Sequence, residues 1–102
     1  MDKNDALIIA QLFAAAVKSK YPASRFYLFG SFVKGNNHTD SDIDIAVVFN
    51  NYDNFSEMQL ALMKIRRKID SRIEPHPFKE NDFVLSNALV QEIMSYGKEI
   101  KA

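Results

Sequence analysis

The chain has 102 residues, 47% of them hydrophobic, enough for one domain with its own core but not for two. Thirteen basic residues balance thirteen acidic ones, which excludes a nonspecific grip on nucleic acid, and the lack of cysteine excludes disulfides and thiolate metal sites. The charged opening Asp2-Lys3-Asn4-Asp5 is no signal peptide, and the apolar Ala6–Val17, broken by Gln11, is too short to span a bilayer. A soluble cytoplasmic protein with one domain over residues 1–102 is expected, making no direct contact with nucleic acid or membrane.

Asp2 or Asn4 is placed to cap a helix from about Asp5 to Lys20, with Leu7, Ile8, Leu12 and Val17 at helical spacing and Tyr21-Pro22 as its stop. Arg25–Phe29 reads as a short strand stopped by Gly30. Ser31–Lys34 suits a brief helix that Gly35 closes in a left-handed cap, and Asn36–Ser41 is a polar turn. Asp42–Phe49 is a second strand, and Asn50–Asn54 a loop. Phe55–Asp70 is a helix with the stripe Met58, Leu62, Ile65, Ile69. Arg72–Pro77 reads as a strand near a sheet edge, because its two prolines lack ladder donors. A last helical region covers about Asn81–Tyr96 in one or two pieces, with Gly97 as its cap and Lys98–Lys101 as a terminal strand. Alternating helices and strands make an α/β (α+β) domain, one sheet packed with helices.

The chemistry concentrates in two places. Gly30-Ser31 follows a strand and opens a helical turn, where glycine lets the backbone approach a ligand and the next amides, with the Ser31 hydroxyl, face an anion. Ten residues on, Asp42 and Asp44 are two apart in an apolar run. On a strand both project from one face, their Cα atoms roughly 6.5–7 Å apart. Two anions about 6 Å apart repel by roughly 3 kcal/mol at an effective dielectric of about 20, so the pair asks for a cation. Mg²⁺ takes one or two carboxylates plus phosphate oxygens, which joins the two motifs into one site for a nucleoside triphosphate.

Leu28-Phe29-Gly30-Ser31, Gly35 and Ser41-Asp42-Ile43-Asp44 together resemble the Gly-Ser-x10-Asp-x-Asp signature of the DNA polymerase β-like nucleotidyltransferase superfamily. The short chain looks like its minimal nucleotidyltransferase branch. The resemblance is tightest over Phe26–Phe49 and looser to about Pro77. It implies a single-domain mixed β-sheet packed with helices and a third carboxylate on the neighbouring strand. Glu74 is the candidate there, a departure from the family's usual Asp, with Asp70 competing. By the same resemblance Asp42, Asp44 and Glu74 hold one or two Mg²⁺ ions, and Glu74 alternatively accepts the proton of an attacking hydroxyl. Gly30 and Ser31 hold the β- and γ-phosphates of ATP, and Ser41 orients the carboxylates.

Proteins of this branch resemble antitoxins paired with HEPN-domain toxins. The implied activity is transfer of AMP from ATP to a hydroxyl, a tyrosine, of such a partner. Two alternatives stay open: an antitoxin or scaffold that acts by binding alone, and transfer to a small molecule of the aminoglycoside kind. Lys34 reaches the phosphates or solvent. His38 is a loop residue, and His76 shares a strand face with Glu74. Tyr27 and Phe29 read as core. The basic run Lys64, Arg66, Arg67, Lys68 is a solvated helix side or a dock for an acidic partner. Leu89, Val90, Ile93 and Met94 cannot all face one core, which points to an association surface in a homo- or hetero-oligomer.

Overall fold

The computed structural model describes residues 1–38 and 41–102. Asp2 starts the first helix, α1 (Lys3–Lys20): its carboxylate accepts the Asp5 amide at 2.9 Å while the Asp5 carboxylate accepts the Asp2 amide. This closed capping box selects Asp2 over Asn4 and begins the helix two residues before Asp5. Strand β1 (Arg25–Phe29) and the one-turn helix α2 (Ser31–Lys34) have the expected bounds, and α2 ends on Gly35 in the left-handed region. Thr39 and Asp40 of the expected polar turn lie outside the described residues. Strand β2 (Ile43–Phe49) begins one residue late, so Asp42 stands just ahead of it.

Helix α3 (Phe55–Arg66) is capped by Asn54, which accepts the Glu57 amide at 2.9 Å. It stops short of Asp70 because residues 67–70 turn back, the Ile69 and Asp70 amides both reaching the Arg66 carbonyl at 2.9 Å. Strand β3 (Ile73–Lys79) runs past Pro77. A 3-10 turn (Glu80–Asp82) and helix α4 (Ala88–Tyr96), capped by Asn87, are the two pieces of the last helical region, and β4 (Lys98–Ile100) closes the chain.

The strand order is β3-β2-β1-β4, with β1 antiparallel to β2 and β4, and β2 parallel to β3. This topology brings the exit of β1 and the starts of β2 and β3 to one end of the sheet. On one face Phe26, Leu28, Ile43, Ile45, Val47 and Ile73 pack on α1, through Ala10, Phe13, Ala14 and Val17, and on Leu62 of α3. On the other, Tyr27, Phe29, Ala46, Val48 and Phe78 pack on Val90 and Ile93 of α4. Tyr27 and Phe29 are therefore core. Leu89 and Met94, which cannot join Val90 and Ile93, remain exposed. Burial on both faces explains why β2 reads as a continuous apolar run rather than an alternation.

Strand β3 is indeed an edge, and its prolines sit where they remove no ladder bond. The Ile43 amide bonds the Arg72 carbonyl at 2.9 Å, so alternate residues Arg72, Glu74 and His76 face β2 while Pro75 and Pro77 face outward. The outward carbonyls are taken by side chains, that of Ile73 by Arg66 Nη1 at 2.8 Å and that of Pro77 by the Tyr52 hydroxyl at 3.4 Å. Arg66 is thus drawn inward rather than solvated, whereas Lys64, Arg67 and Lys68 are exposed. An edge without amides to offer resists pairing with another strand.

Asp70 joins α3 to β3 by accepting the Arg72 amide and guanidinium at 2.6–2.9 Å. Its hydrogen bond from the Arg72 side chain holds its carboxyl below the usual aspartate value. A carboxylate shifted downward adds stability that is complete above the unfolded-state value near 4 and disappears as pH falls through the folded one. Asp70→Asn should therefore lower Tm by a few degrees at pH 7, with the gap to the parent closing below about pH 4 in thermal melts.

Candidate functional site

Asp44 is the centre of the gathered end of the sheet. The strand register sets Phe29 opposite it on β1 and Glu74 beside it on β3. Neighbouring strands lie about 4.8 Å apart, and the register puts the two carboxylates side by side on one face of the sheet. Asp44 is half-buried, its side chain 26% exposed. His76 Nε2 donates to its Oδ1 across 3.0 Å, and the imidazole stands edge-on to Phe29 with ring centroids 5.0 Å apart.

The other carboxylate oxygen abuts Gly30. This glycine has φ +83° and ψ −152°, and a Cβ built on it would lie 2.4 Å from Asp44 Oδ2. Both the backbone angle and the close approach require glycine. Gly30 caps α2, its carbonyl accepting the Val33 and Lys34 amides at 3.2 and 3.1 Å. The amides of Ser31 and Phe32, ahead of that first helical bond, are the ones the turn leaves for a ligand.

Ser41 is buried at 7% exposure; its hydroxyl oxygen accepts the His38 amide at 2.8 Å and its own amide donates to the His38 carbonyl at 3.0 Å. It ties the turn that delivers Asp42, which is itself exposed. Lys34 is exposed, but its Nζ is engaged within the fold: it bonds Glu92 at 3.0 Å and lies 5.3 Å from the Tyr96 ring centroid, tying α2 to α4. Asp70, the competitor of Glu74, is committed to Arg72.

The structure therefore brings together Gly30, Asp44 and Glu74, with Ser31 adjoining in α2 and Asp42 one residue outside β2. Among the described residues no three His, Asp or Glu side chains come close enough to hold a metal ion by themselves. The donor set is nonetheless one of hard oxygens, suited to Mg²⁺, which takes few protein ligands and completes its shell with phosphate and water. The His76–Asp44 bond was missed from the sequence. Its only signal there is that Glu74 and His76 share a strand face, and it needed the parallel register of β3 on β2 to become visible.

Residues 12–101 match the family model described as polymerase beta, nucleotidyltransferase. The chain is 35% identical over 75 residues to the protein adenylyltransferase MntA of Shewanella oneidensis, covering 72% of this chain and 50% of that protein. It is 46% identical over 55 residues to the putative protein adenylyltransferase MJ1379 of Methanocaldococcus jannaschii, covering 52% of this chain and 54% of that one. The chain thus spans about half the length of these curated relatives. A toxin–antitoxin crystal structure with AMP-PNP superposes with a TM-score of 0.65 at 23% identity, over 90% of this chain and 73% of that one, a likeness of fold. No described helix is long and apolar enough to cross a membrane.

Proposed function

The chain belongs to the polymerase beta nucleotidyltransferase family, and from that premise we propose that it transfers AMP from ATP to a tyrosine hydroxyl of a HEPN-type toxin, acting as its antitoxin in the cytoplasm. The observation that carries this reading is Asp44 wedged against Gly30 and set beside Glu74 where three strand ends meet. The curated relatives named as protein adenylyltransferases supply the class of acceptor.

In this reading Gly30 and Ser31 hold the β- and γ-phosphates through the first amides of α2 and the Ser31 hydroxyl. Asp42 and Asp44 are the residues that would hold Mg²⁺, with Glu74 either a third ligand or the acceptor of the attacking hydroxyl's proton. Bound there, the ion neutralises the triphosphate and the departing pyrophosphate. Ser41 keeps Asp42 at the mouth of β2 through the His38 turn. His76 holds one oxygen of Asp44 before the nucleotide arrives, and the absence of a side chain at Gly30 leaves room for the other, so the carboxylate is partly ordered before binding. The acceptor oxygen attacks the α-phosphorus, its proton passes to Glu74 where that carboxylate is not itself a metal ligand and to solvent where it is, the bond to the β-phosphate oxygen breaks and pyrophosphate leaves.

The test is intact-mass measurement of a HEPN-type toxin after incubation with this chain and Mg·ATP. A gain of one AMP group is expected with the parent chain and none with the double variant Asp42→Ala/Asp44→Ala. An unmodified toxin that the double variant still inhibits would replace transfer by neutralisation through binding. No Mg²⁺-dependent ATP uptake in calorimetry would remove the nucleotide site altogether.

A further inference from the structure

A second feature lies on the opposite face of the sheet from Asp44 and uses none of the nucleotide residues. Between α1 and α3 runs a groove of about 640 Å³, floored by Ala16, Tyr21, Leu60, Ile65 and Ile69. Lys20, Lys64 and Lys68 also line it. Among the described residues none of these three lysines has an ion-pair partner, unlike Arg25, Lys34 and Arg72. Glu57 is the one carboxylate along the groove among the described residues. In a chain of zero formal charge this is a local excess of positive charge around an apolar floor.

The apolar surface extends beyond the groove. Leu60 is 51% exposed, and on α1 Leu12 and Ile8, one and two turns before Ala16, are 55% and 57% exposed. Ile8 to Ala16 spans about 12 Å of helix axis, and with the groove this makes a track suited to roughly three turns of a third helix. Two helices side by side offer a third one a furrow for its apolar stripe, the geometry by which helices dock in grooves. The lysines then select the charge of what lies there.

We propose that the α1/α3 groove docks an acidic amphipathic helix of a partner protein, its apolar stripe on Leu60, Leu12 and Ile8 and its carboxylates against Lys20, Lys64 and Lys68. Because α1 and α3 cover the face away from Asp44 and Glu74, a partner held there leaves the nucleotide cleft open. The inference stands independently of the proposed transfer reaction.

The probe is a synthetic 14-residue helical peptide with leucines at i, i+4, i+7 and i+11 and glutamates beside them, titrated against the intact chain by fluorescence anisotropy. Saturable binding that weakens with added salt is expected. Leu60→Glu and the double variant Lys64→Glu/Lys68→Glu should each weaken it about tenfold or more, with unchanged thermal melts because all three side chains are exposed. The same peptide with lysines in place of the glutamates should fail to bind. No binding, or equal binding of both peptides, would overturn the proposal. So would a dimer in sedimentation that Leu60→Glu dissolves, which would make a second copy of the chain the occupant, or binding to anionic vesicles without binding to the peptide.

Discussion

Gly30→Ala is expected to remove adenylyl transfer by about 100-fold or more, whereas Gly35→Ala should leave it nearly intact. Both glycines have positive φ, +83° and +81°, so each substitution strains the backbone by about 1–3 kcal/mol and lowers Tm. Their neighbours separate them. The new Cβ at position 30 would meet Asp44 Oδ2 at 2.4 Å, while the one at position 35 meets nothing within 4 Å. Relief of the first contact displaces the carboxylate on which the proposed reaction rests, and a shift of about 1 Å in a reacting group is worth about 100-fold. Thermal melts together with the mass assay check the pair. Equal loss of activity in both variants would mean that strain in the turn, rather than the position of Asp44, controls the site.

Asp44→Asn should lower transfer by at least about 100-fold while leaving Tm unchanged or higher. The ligand charge is lost, and stabilisation of developing charge by a bound metal amounts to several kcal/mol, a factor of ten for each 1.4 kcal/mol. The fold, by contrast, is relieved of one of two carboxylates set side by side in register, and an asparagine oxygen still accepts from His76. Stability given up at a working site in this way is a common trade. Glu74→Gln should share the activity loss and Asp70→Asn should not, which separates the two candidates for the third carboxylate in one assay. A fall in Tm for Asp44→Asn beyond that of Asp70→Asn would mark Asp44 as a structural residue instead.

Much of this protein is written in local order. The capping box at Asp2 and the glycine punctuation at positions 30 and 35 act through contacts three to five residues long, so those ends, like the apolar run 43–49, can be read to within a residue or two without a partner. The Gly-Ser bend and the Asp-x-Asp pair are likewise local, and they carry the family before any fold is known. Where α3 ends was not legible from the apolar stripe: Asp70 and Arg72 lock the turn that follows, and Arg66 is drawn to the carbonyl of Ile73, a residue seven further on. Nor was the fate of Lys34, which finds Glu92 58 residues away.

Which groups can do chemistry here follows from the order of residues alone, because side-chain type and spacing along a strand or turn are properties of the chain. Which of them meet depends on the packing of the fold. Parallel pairing of β3 on β2 puts Glu74 next to Asp44 and His76 within hydrogen-bonding distance of it, and antiparallel pairing of β1 brings Gly30 against the same carboxylate. Strand register arises from packing on both faces at once, Val90 and Ile93 on one side and Phe13 and Leu62 on the other, and contacts between such distant segments leave no period in the sequence.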